Sequence, residues 1–83
     1  MDCVKQIKNN TMKKLYYTVE RGVYPDGETL DGTKTASVYS IENNIPKIEF
    51  NVEMDLTDNT VNHIKMHMED NFIPTIGVEF IIL

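Results

Sequence analysis

The chain is poor in the residues that would give it away. It has one cysteine, one arginine, no tryptophan, three prolines and four glycines in 83 residues. A lone Cys3 has no internal partner, which excludes a small scaffold stapled by disulfides. The four glycines, Gly22, Gly27, Gly32 and Gly77, lack the spacings of a phosphate-binding loop, a dinucleotide fingerprint or a nucleophile elbow. No apolar run approaches the ~20 residues that span a bilayer as a helix. No charged leader followed by an apolar stretch and a cleavage site is present, so a reduced, cytoplasmic protein away from membranes is expected. Eight Asn, nine Ile and seven Lys against a single Arg are the bias of AT-rich codons, which points to a bacterial or bacteriophage source.

Basic charge is also scarce, and unevenly placed. Four lysines against Asp2 give residues 1–14 a charge of +3, whereas four bases against twelve acids give residues 15–83 a charge of −8. An acidic body repels a phosphate backbone, whose binding is driven by Lys and Arg displacing counterions. No nucleic-acid partner is expected, and a basic protein is the better electrostatic match.

What is present is one core's worth of apolar residues, 41% of the chain, at a length that buries only ~60% of the unfolded surface. That leaves too few residues to wall a deep active site. Residues 1–12 hold few apolar groups and an Asn9-Asn10 interruption, and read as a flexible N-terminal tail ahead of a single α+β domain over 13–83.

Period-two alternation then begins. Leu15, Tyr17 and Val19 mark a first strand near 14–20. Gly22–Gly32, with two Asp-Gly pairs, reads as a long loop or irregular hairpin, and 34–42 as a second strand. A turn is expected over Asn43-Asn44-Ile45-Pro46. In the third strand Ile48, Phe50, Val52 and Met54 alternate with charged or polar residues, the pattern of an antiparallel sheet with one wet face. Thr57 or Asp58 is placed to cap a helix running to about Asp70, with Val61, Ile64, Met68 and Phe72 as its apolar stripe and Asn71 as its left-handed terminator. A last strand takes Ile76, Val78, Phe80 and Ile82 on one face. The result is a β-β-β-α-β chain, one helix packed on a four-stranded, mostly antiparallel sheet. A crossover returning beside the first strand gives the order 3-2-1-4, with strands 1 and 4 parallel.

Two groups of residues carry candidate chemistry. His63 and His67, four apart on the helix with Asp70 one turn on, have the spacing of metal ligands and are expected on the face opposite the apolar stripe. The residues between them, Ile64, Lys65 and Met66, include no glutamate of the kind that serves as base in zinc peptidases, so incidental histidines on a solvated face are the stronger reading. Asp26, Glu28 and Asp31 do not match the calcium-loop spacing, and turn chemistry accounts for them. No cofactor is expected.

The second group is apolar. One helix covers one sheet face, which leaves Tyr16, Tyr39, Ile41, Ile81 and Leu83 on the other as a surface for a protein partner or a homodimer contact. These residues predict a small non-catalytic protein-binding or regulatory accessory module that acts through an apolar sheet face and an acidic surface. The alternative is a small metal-binding protein or metal-dependent enzyme built on His63 and His67.

Overall fold

The structure, a computed structural model, describes residues 13–83; the expected tail over 1–12 lies outside the described residues. The chain runs β1 (Lys13–Val23), β2 (Leu30–Glu42), β3 (Ile45–Asp55), α1 (Thr60–Asp70) and β4 (Val78–Ile82). The four strands form one sheet in the order β3-β2-β1-β4, with β1 antiparallel to β2, β2 antiparallel to β3 and β4 parallel to β1. The fold class is the one expected from the alternation pattern, and the strand order and single parallel pair are those of a crossover returning beside the first strand.

The strands reach further than the alternation indicated. β1 continues to Val23 and β2 starts at Leu30, so the expected long loop shrinks to Tyr24–Thr29, closed by Tyr24 N–H donating to Thr29 O at 2.8 Å. Asp26 takes the turn's free donors: its carboxylate accepts from the Glu28 and Thr29 amides, both at 2.9 Å, and from Thr29 Oγ1 at 2.8 Å. Asp31 accepts from the Thr33 amide and hydroxyl in the same way. Both acids thus serve turn geometry.

The β2–β3 turn is tighter than expected. Asn43 and Asn44 both adopt positive φ, 52° and 66°, as a two-residue hairpin of the type that matches strand twist requires, and Asn tolerates it. Ile45 and Pro46 therefore belong to β3, an edge strand where a proline's missing N–H leaves no gap in the ladder.

The cap lies just past both candidates, two residues after Thr57 and one after Asp58: Asn59 Oδ1 accepts from the Asn62 amide at 3.0 Å. Asp58 instead accepts from the Asp55 amide, while its own carbonyl receives Lys34 Nζ at 2.7 Å, tying the β3–α1 connection down to β2.

At the other end the helix closes in a Schellman arrangement. Ile73 N–H donates to Met68 O at 2.7 Å and Phe72 N–H to Glu69 O at 3.1 Å. The left-handed residue is Phe72, φ 58°, and not Asn71, whose φ is −106°. Phe72 thus leaves the apolar stripe and is 95% exposed. Ile76 is also outside the last strand, in a turn where Val78 N–H donates to Thr75 O and Gly77 takes φ 77°.

The core lies between α1 and one face of the sheet. Leu15, Ala36, Val38, Val52, Met54, Ile64 and Met68 are buried, and Tyr17, Phe50, Ile73, Val78 and Phe80 pack around them. The helix straddles the sheet: His67 stacks on Phe50 of β3, and Lys65 Nζ lies 6.0 Å from the ring centre of Phe80 in β4.

Candidate protein-binding face

The face away from α1 is set by register. Tyr16 stands between Leu15 and Tyr17, both packed into the core, so it points to the opposite side. Tyr16 pairs with Ile81 of β4 on one flank and Tyr39 of β2 on the other, and Tyr39 pairs with Ile48 of β3. The result is an unbroken row across all four strands: Ile81, Tyr16, Tyr39, Ile48. Ile41 and Leu83 extend it along β2 and past the end of β4, the latter held by its amide donating to Tyr17 O at 2.9 Å. Tyr16, Tyr39 and Ile81 are half-buried by one another, while Ile41, Leu83 and Ile48 are exposed. All five residues expected to form this surface share the face.

Ile48 was expected in the core and is 52% exposed. The cause is a β-bulge. Val38 pairs with Phe50 but the next residue, Tyr39, pairs with Ile48, so Glu49 is the extra residue. The bulge turns the Glu49 carboxylate toward the helix side, where Ser40 Oγ donates to Oε2 at 2.6 Å, and turns Ile48 outward. Strict alternation carries no mark of such an insertion.

The rows that flank the apolar one carry little net charge. On one side Thr18, Ser37 and Asn51 pair across three strands, with Ser37 Oγ donating to Asn51 Oδ1 at 2.7 Å. On the other, Lys14 pairs with Glu79 and Ile41 with Pro46, so the one cation and the one anion there are neighbours.

The histidines are drawn in different directions. His63 Nε2 lies 3.2 Å from Asp58 Oδ2, and His67 stacks on Phe50 with ring centres 4.7 Å apart and planes inclined by 26°. His67 therefore faces the sheet, not the side opposite the apolar stripe, because three residues from Ile64 and one from Met68 put it on the flank of the buried stripe. Asp70 is exposed. Among the described residues, no group of three or more His, Cys, Asp or Glu side chains is placed to hold a metal ion.

A cleft of about 310 Å³ lies between the end of α1 and the β2–β3 hairpin, floored by Leu15, Phe50 and Ile73. Besides Lys13, its polar lining is engaged: Glu49 with Ser40, Asn71 Nδ2 with the His67 carbonyl at 2.8 Å, and the His67 ring with Phe50. Such a cleft is at the small end of the ~300–1,000 Å³ range of ligand pockets.

A second exposed apolar feature was not foreseen: Phe72, 95% exposed, and Ile76, 91% exposed, stand out from the α1–β4 connection. Helical and strand periodicity each absorbed one of them, and only Pro74 between them marked the break. Compared with protein-family models, curated proteins and solved structures, the chain matches none.

Proposed function

We propose that this chain is a small non-catalytic protein-binding module, accessory to other proteins, whose contact surface is the sheet face opposite α1. The observation that carries the reading is the Ile81–Tyr16–Tyr39–Ile48 row, an uncharged and partly aromatic band that nothing among the described residues covers, since the one helix described sits on the other face. Tyrosine and isoleucine in contiguous exposure are a protein-contact composition: large apolar area, few rotamers to freeze and a hydroxyl that stays hydrated at the rim. The net charge of −5 adds a bias toward basic and against polyanionic partners. No helix among the described residues is long and apolar enough to cross a membrane.

The experiment is site-specific photo-cross-linking in the cells that express the protein, with a benzophenone amino acid at position 39 and, separately, at position 72. Protein adducts from position 39 support the reading. Adducts from position 72 alone would move the contact to the α1–β4 connection and overturn it.

A further inference from the structure

The apolar row has a property beyond its composition. Read across the sheet from β4 to β3 it is Ile, Tyr, Tyr, Ile, and read from β3 to β4 it is the same. Its centre falls between Tyr16 and Tyr39, midway between the two central strands. A two-fold axis along the strands at that point superposes the row on itself in reverse, so that aromatic meets aromatic and aliphatic meets aliphatic in an isologous contact.

We propose that the occupant of this face is a second copy of the chain, packed sheet on sheet about that axis, so that Ile81 meets the partner's Ile48 and Tyr16 meets the partner's Tyr39. The inference rests on the binding-face reading and names its partner. The row itself is uncharged, flanked by Thr18, Ser37 and Asn51 on one side and by the paired Lys14 and Glu79 on the other, with Glu20 and Glu53 one row further out on the same face. Aligned sheets cross at about 30°, which keeps side chains of one row over those of the other near the axis. Three strands of ~36 Å and the short β4 of ~16 Å, spaced ~4.8 Å apart, give the face roughly 600 Å², below the ~800 Å² each partner gives a standard interface. The dimer is therefore a modest one that dissociates on dilution.

Light scattering of the full chain over a concentration series reads the stoichiometry, and paired cysteines read the geometry. The expected result is a mass rising from 9.6 kDa toward twice that value, held at the monomer by Ile48→Glu or Ile81→Glu and unaffected by Phe72→Asp. In a Cys3→Ser background, Ile48→Cys mixed with Ile81→Cys should give a disulfide-linked heterodimer under mild oxidation, with little homodimer from either variant alone. Circular dichroism of each variant establishes that it is folded. A folded parent that stays monomeric at every concentration overturns the dimer, as does a dimer dispersed by Phe72→Asp but not by Ile48→Glu. These failures are separable from failure of the binding reading: a monomer that still forms adducts with other proteins from position 39 leaves the face a binding site with a different occupant, while a monomer with no adducts removes both.

Discussion

Phe72 occupies a backbone position that belongs to glycine. Left-handed φ costs a residue with a Cβ about 1–2 kcal/mol, and at 95% exposure the Phe72 ring recovers little of it by packing. Phe72→Gly should therefore stabilise the fold by about 1 kcal/mol, a rise in Tm of ~4–8 °C for a domain of this size. A lower Tm would mean that the ring has a packing role in the free chain. Asp26 makes a pH-dependent case. The Thr29 amide first, then the Glu28 amide and the Thr29 hydroxyl, favour its ionised form and hold its pKa below the ordinary 3.8. A carboxyl depressed in the folded state contributes stability that is complete above the unfolded value and lost as pH falls through the folded one. Thermal melts of the parent and Asp26→Asn should differ at neutral pH and converge below about pH 4. A difference that persists unchanged into acid would show that the carboxylate's charge is irrelevant to the turn.

At the scale of elements, α1 is held by packing more than by its own sequence, since its 11 residues are short for an independent helix. Ile64 and Met68 are fully buried against the sheet. Ile64→Ala should cost about 2–5 kcal/mol in a chemical denaturation series, against about 1 kcal/mol for loss of the cap in Asn59→Ala. Equal effects would mean that the helix face is misassigned. The element types were legible in the alternation, whereas the strand order and the parallel β1–β4 pair follow only once the helix returns the chain beside the first strand, a connection that alternation leaves open. The departures are all places where local geometry overrode periodicity. Ile48 reads as core in any period-two count, and only the Glu49 bulge turns it out. Phe72 continues the helical stripe by spacing, yet the Schellman bonds to Met68 and Glu69 end the helix two residues earlier. Ile76 continues the strand by spacing, yet Gly77 turns the chain before Val78.

For the whole molecule, the outer face was legible as five residues because counting one helix against two sheet faces leaves the second uncovered. Its symmetry was not legible, since Ile48, the fourth member of the row, enters only through the bulge. Two copies of net charge −5 repel, and Glu20 and Glu53 lie on the contacting face, so added salt should tighten self-association by screening. Binding held by opposite charge would weaken instead, and sedimentation at two ionic strengths separates the two. The four tyrosines divide by position in a way that serves the most direct test: Tyr16 and Tyr39 lie at the centre of the row, Tyr17 packs toward the helix and Tyr24 sits at the hairpin turn. With fluorotyrosine incorporated throughout and each signal assigned by single Tyr→Phe variants, fluorine NMR over a protein concentration series should show the Tyr16 and Tyr39 resonances moving while those of Tyr17 and Tyr24 stay fixed. Four signals that ignore concentration, or movement confined to Tyr24, would contradict a two-fold contact through the open face of the sheet.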